Sequence, residues 1–118
     1  MSKILVVDDE PDTLVISELW LTSEGFEVAT AADGMAALDV FDRERPDLVI
    51  TDLMMPRMSG VELCRRLRAQ QGGAHLPIVV ASAAATAPDT GDNLYDVFIT
   101  KPVEFDRLIV EIKRLLAH

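Results

Sequence analysis

Three stretches of this chain are apolar at every position: ILVV at 4–7, LVI at 48–50 and IVVA at 78–81. A strand with one wet face alternates apolar and polar side chains, so an unbroken apolar run marks a strand covered on both faces. With their flanks these runs read KILVVD, DLVITD and PIVVAS. Two further segments, FEVATA and VFITK, bring the set to five. Helical patterns or turn residues lie between them. Strands alternating with helices form βαβ units, which build a parallel sheet with helices on both sides. The expectation is one α/β domain over residues 1–118, with a doubly wound, five-stranded parallel sheet. A chain of 118 residues can bury a substantial core.

The helix signals are local. A first helix is expected to start at Asp12 or Thr13 as N-cap after Pro11, and to stop before Gly25. A second runs from Gly34 to Arg45 and is ended by Pro46, with Ala37, Leu38 and Phe41 at helical spacing. A third follows Ser59 as N-cap, with Glu62 forming a capping box. Its stripe is Val61, Cys64 and Leu67, its solvated face Arg65, Arg66 and Arg68, and Gly72 and Gly73 close it. The last begins near Glu104 and carries Phe105, Leu108, Ile109, Ile112, Leu115 and Leu116 as an amphipathic stripe. Between strands four and five, residues 83–96 contain Pro88 and Gly91 among Asp, Thr and Asn. That is turn chemistry, so the fourth helix of the fold is expected to be short or replaced by a loop.

A net charge of −9 argues against direct binding to nucleic acid or an anionic membrane. It favours a divalent cation wherever acids converge. The single cysteine, Cys64, forms no internal disulfide and reads as a core residue. The N-terminal apolar run is too short for a signal peptide, and no stretch reaches the length of a membrane span. A cytoplasmic setting is expected. His75 and His118 read as surface residues.

Open parallel sheets bind ligands at the carboxyl ends of their strands. Strand one ends in Asp8 and Asp9, strand three in Asp52, strand four in Ser82, and strand five in Lys101-Pro102. In a sheet with the order 2-1-3-4-5, strands one and three are neighbours, and three carboxylates would then crowd one pocket. Like charges that close are costly unless compensated. The three acids and the lysine carry −2 together, which one Mg²⁺ (or Mn²⁺) cancels. Oxygen-only ligands suit such a hard cation and not zinc. An aspartate, a hard cation and a lysine make a phosphoryl-transfer site. Taken singly, Asp8-Asp9 could be a turn pair, Asp52 a loop acid and Lys101 a solvated residue; four strand ends together argue otherwise.

ILVVDDE, ITDLMMPRMSG, VVASA and ITKPV, in that order and across essentially the whole chain, resemble the motifs of bacterial two-component response-regulator receiver domains. The resemblance implies a flavodoxin-like fold and a phosphorelay role, with a histidine kinase or histidine phosphotransfer protein as donor. It implies that Asp52 accepts the phosphoryl group and that Asp9, Asp52 and the Met54 backbone carbonyl bind Mg²⁺, with Asp8 acting through water. It implies that Lys101 contacts the phosphoryl group, that Pro102 is cis, that Ser82 moves on activation, and that Phe98 is the aromatic switch. Lacking a hydroxyl, Phe98 would switch by packing alone. Leu94 and Tyr95 stand where the family usually has Gly-Ala, and the 83–96 segment is expected to be mobile and to respond to phosphorylation by ordering, or not at all.

Helix one is apolar on more than one side. Ile16, Trp20 and Leu21 cluster on one, Val15 and Leu19 on another, with Leu14 near the edge. A docking face for a partner near Leu14, Val15 and Leu19 is expected, set against the plainer reading that scattered surface apolars are normal. The side chains of Met54 and Ala84 should overhang the site and modestly slow hydrolysis of an acyl phosphate, while Met55 and Met58 pack the loop down. The alternative is a Mg²⁺-dependent phosphatase with an aspartyl nucleophile. It would want a second acid two residues after Asp52, where Met54 stands. A flavin-binding module would need a phosphate loop after strand one, and DDEPDT repels phosphate.

Overall fold

The computed structural model describes residues 1–84, 87 and 94–117. The elements are β1 (Lys3–Val7), α1 (Pro11–Ser23), β2 (Glu27–Ala31), α2 (Gly34–Glu44), β3 (Leu48–Asp52), α3 (Gly60–Ala69), β4 (Ile78–Ser82), β5 (Val97–Thr100) and α4 (Phe105–Leu116). All five strands are parallel, in the order β2-β1-β3-β4-β5. The fold class read from the apolar runs is the one observed.

Strand periodicity of two divides the core into two layers. Leu5, Val7, Val49, Ile78 and Val80 face one side and pack with Ala37, Phe41, Leu63 and Leu67 of α2 and α3. Ile4, Val6, Ile50, Val79 and Ala81 face the other and pack with Leu21, Leu108 and Ile112 of α1 and α4. The register pairs Val7 with Thr51, Asp52 with Ala81, and Ser82 with Thr100. The carboxyl ends of the four strands that carry candidate residues therefore finish along one edge.

Three local expectations change. Helix α1 begins two or three residues earlier than expected: Glu10 is the N-cap, without a side-chain cap bond, and Pro11 occupies the first turn. Proline's fixed φ and missing N–H suit that position, so Asp12 and Thr13 are already helical. Leu21 is buried in the core rather than grouped with the exposed Ile16 and Trp20. Arg68 is not part of the solvated arginine face. Its guanidinium donates to the Gly73 and Leu76 carbonyls and to Asp96, whose Oδ2 also accepts from the Ile78 amide at 2.8 Å. It thus ties the end of α3 to the starts of β4 and β5, while Arg65 and Arg66 stay exposed.

Helix α2 starts at Asp33, whose side chain accepts from the Ala36 amide at 2.8 Å, and stops at Arg45 (φ 48°) before Pro46. Helix α3 starts at Ser59, whose hydroxyl accepts from the Glu62 amide at 3.2 Å. Cys64 is fully buried, and burial pushes its thiol up to about 11. His75 is exposed. Most of the 83–96 segment, including Pro88 and Gly91, lies outside the described residues, as does His118. Ala83, Ala84, Ala87 and residues 94–96 are non-helical, and Leu94 is buried in the α2–α3 layer.

Candidate functional site

The site lies at the carboxyl edge of the sheet. Asp8 follows β1 and is only 3% exposed; Asp52 ends β3 at 9%. Such burial of two carboxylates demands partners. The Lys101 Nζ lies 2.8 Å from Asp8 Oδ2 and 3.4 Å from Asp52 Oδ2. The other Asp8 oxygen accepts from the Glu10 amide at 2.9 Å, and Asp52 Oδ1 accepts from the Met54 amide at 3.3 Å. Burial alone would lower the Lys101 pKa, but its bond to Asp8 and the charges of Asp8 and Asp52 outweigh that and raise it, so the lysine stays charged. The Lys101 amide donates to the Ser82 carbonyl at 2.7 Å, which roots the side chain beside β4. The Lys101-Pro102 peptide bond is cis.

Asp9 is exposed and makes no hydrogen bond or ion pair among the described residues. One carboxylate oxygen each from Asp8, Asp9 and Asp52 falls within 4.8 Å of the others. Oxygens around a hard cation at about 2.1 Å are roughly 3 to 4 Å apart, so this donor set fits one Mg²⁺ with slight closure or an intervening water. The single lysine leaves the three acids undercompensated, which is a second reason the site suits a divalent cation.

Ser82 is fully buried, and its hydroxyl accepts from the Ala84 amide at 3.2 Å. Phe98 is half-buried, its ring 6.4 Å from that of Tyr95. The Met54 side chain is 69% exposed. Met55 is half-buried, and Met58 is buried against α2. In α1, Val15 and Leu19 are exposed while Leu14 packs partly into the core; Trp20 stacks on Phe105 at 5.1 Å.

Two supports of the site take their form only in the fold. The loop after Asp52 is tied to α2 by Arg57, which lies 3.4 Å from Asp33. Gly60 sits directly on the Asp52 carbonyl: a Cβ there would come within 2.2 Å of that oxygen. The MSG tripeptide before an apolar helix signals a cap, but only the fold reveals what the glycine touches.

A doubly wound sheet with a buried aspartate, a paired lysine and a cation-sized acid cluster at its switch point defines a class of phosphate-handling signalling domain. The chain belongs to the response regulator receiver domain family, whose model matches residues 4–113. It is 41% identical over 97% of its length to the probable transcriptional regulator ycf27 of Cyanophora paradoxa, and spans 48% of that protein. The probable transcriptional regulatory protein TcrX of Mycobacterium tuberculosis is 34% identical over 96% of the chain, which again spans about half the relative's length at 49%. Among solved structures, the Thermotoga maritima response regulator TrrA, in complex with Mg²⁺-BeF, superposes with a TM-score of 0.89 at 34% identity, covering 98% of this chain and 99% of that one. Receiver domains are signalling phosphoacceptors that bind Mg²⁺ at an acidic pocket and take part with histidine kinases or phosphotransfer proteins. Among the described residues, no helix is long and apolar enough to cross a membrane.

Proposed function

We propose that Asp52 of this chain is the phosphoacceptor of a two-component or phosphorelay pathway, working in the cytoplasm. The observation that carries the reading is the meeting of Asp8, Asp9, Asp52 and Lys101 at one strand edge, with Lys101 bridging the two buried acids. A carboxylate oxygen of Asp52 forms the O–P bond as the P–N bond of a donor phosphohistidine breaks. The imidazole leaves with the electron pair. Lys101, already fixed, offers its ammonium to a phosphoryl oxygen. Asp9, exposed and unengaged among the described residues, would ligate Mg²⁺ directly; Asp8, with both oxygens engaged, would act through water; Asp52 and the Met54 carbonyl would complete the set. Bound Mg²⁺, or Mn²⁺ in its place, supplies charge neutralisation on the phosphoryl oxygens.

Ser82 gives up its bond from the Ala84 amide to reach the phosphoryl group, and Phe98 follows by repacking. The exposed Val15 and Leu19, with Leu14 at the edge, form the surface on which the donor protein docks beside the site. The exposed Met54 side chain overhangs the acyl phosphate and slows its hydrolysis. Met54, which cannot serve as a general acid, argues against sustained phosphatase turnover.

The test is incubation with Mg²⁺ and acetyl phosphate, read by intact mass. One added phosphoryl group is expected, absent in Asp52→Asn and absent when EDTA removes the metal. Retention of the adduct in Asp52→Asn, or continuous hydrolysis of phosphate monoesters, would overturn the assignment.

A further inference from the structure

Beneath the acidic cluster a cavity of about 290 Å³ runs between α1 and α4. Its floor is apolar, formed by Val6, Ile50, Ala81, Phe105 and Leu108. Its mouth carries Asp8, Asp52 and Lys101. The space exists because α1 places Thr13 and Ser17, one turn apart, on its inward face. Ser17 is 8% exposed, lines the cavity and makes no side-chain hydrogen bond among the described residues. Its hydroxyl is not sealed off: among the described residues the one fully buried side-chain polar atom without a partner is Arg68 Nε, so the Ser17 oxygen opens on the cavity and can meet whatever enters it. Neither Ser17 nor the apolar floor is used by the phosphoryl-transfer chemistry.

We propose that this cavity is a binding site for a small amphipathic amine, and that its occupant holds the domain in the unphosphorylated state. The apolar floor takes the body of the ligand, as in most small-molecule sites. Ser17 on the wall can offer it a hydrogen bond. The mouth decides the head group. Two carboxylates against one lysine leave a net negative charge, within a chain of net charge −9. An anionic head is repelled. A neutral apolar molecule covers the carboxylates without compensating them. An ammonium group satisfies them, and in doing so occupies acids that the metal would use, so amine and Mg²⁺ exclude one another.

The experiment uses the whole chain without phosphodonor or metal, titrated with benzylamine and followed by NMR at Ser17, Ile50 and Leu108. Trp20, the only tryptophan, stacks on the cavity residue Phe105 and gives a second, fluorescence readout. Benzylamine is expected to shift these signals saturably, and benzyl alcohol to bind about tenfold more weakly or worse, having lost its charge-assisted bonds. Added Mg²⁺ should displace the amine. Ser17→Leu, which fills the cavity, should abolish binding while leaving phosphorylation of Asp52 by acetyl phosphate unchanged; Ser17→Val does the same with less bulk should Leu disturb folding. Unshifted cavity signals, equal affinity for the alcohol, unchanged binding in both filled variants, or indifference to Mg²⁺ would each overturn the proposal and leave the cavity to water. Because binding is read without phosphodonor, failure here is separable from failure of the Asp52 assignment.

Discussion

Gly60 and Gly34 both support the loop after Asp52, but by contacts of different stiffness. A Cβ on Gly60 meets the Asp52 carbonyl oxygen at 2.2 Å and the Leu53 Cα at 2.8 Å, backbone atoms that cannot rotate away. A Cβ on Gly34 meets the Met58 Sδ at 2.5 Å, the far end of a flexible side chain. Gly60→Ala should therefore cost about 1–3 kcal/mol in urea unfolding and slow phosphorylation of Asp52, while Gly34→Ala should cost less. The Gly34→Ala cost should fall further in a Met58→Ala background. Equal costs for the two glycines would contradict this difference in stiffness. Cys64 offers a pH-dependent test. Burial, partly offset by the charge of Arg68 and reinforced by that of Asp96, raises its thiol from an ordinary 9.0 to about 11. The folded state thus holds the proton more tightly. The stability this confers is complete below pH 9 and is lost as pH rises through about 11. The difference is worth roughly 2–3 kcal/mol. Between pH 8 and pH 11, wild type should lose that much more stability than Cys64→Ala.

At the scale of elements, caps and faces separate what the sequence disclosed from what it hid. The strands were legible because covered strands cannot afford polar positions, and ILVV, LVI and IVVA have none. Ser59 was legible because a cap bond spans three residues. Arg68 was not, since its partner Asp96 lies 28 residues away and only the packing of β4 against β5 brings it near. The acids of the site were readable as strand ends; the opening behind them, made by Thr13 and Ser17 on α1, depends on how two helices lean together. Caps also give a stability prediction. Helix α4 starts at Glu104 with no side-chain cap bond, whereas α3 has Ser59. Glu104→Asp should add about 0.5–1 kcal/mol and Ser59→Ala should remove about 1 kcal/mol, both read by urea titration. For α1, Leu19 is 67% exposed, so Leu19→Glu should leave stability within about 0.5 kcal/mol of wild type. The same change should slow phosphotransfer from a cognate histidine donor and not from acetyl phosphate. Unchanged transfer from the protein donor would remove α1 as its docking surface.

For the molecule as a whole, the acidic edge is a load on folding that a bound cation would relieve. The neighbours Asp8 and Asp9 carry it differently. Asp8 is buried and holds Lys101 at 2.8 Å; Asp9 is exposed and holds nothing among the described residues. Removing one partner of a buried pair strands the other, but Lys101 keeps 24% of its side chain in solvent and still has Asp52 at 3.4 Å. Asp8→Asn should therefore lower metal-free stability by about 1–3 kcal/mol, less than the loss of a fully buried pair. Asp9→Asn removes only repulsion, so metal-free stability should hold or rise slightly. Mg²⁺ reverses the comparison. A cation bound only by the folded state raises the melting temperature with concentration. Wild type should show that rise, and Asp9→Asn should lose most of it, because Asp9 is the carboxylate of the cluster with no other engagement among the described residues. Thermal unfolding in EDTA and across a Mg²⁺ series reads all three proteins. A wild-type response retained in Asp9→Asn would shift direct ligation to Asp8 and Asp52, and a destabilised metal-free Asp9→Asn would mean that Asp9 supports the fold itself.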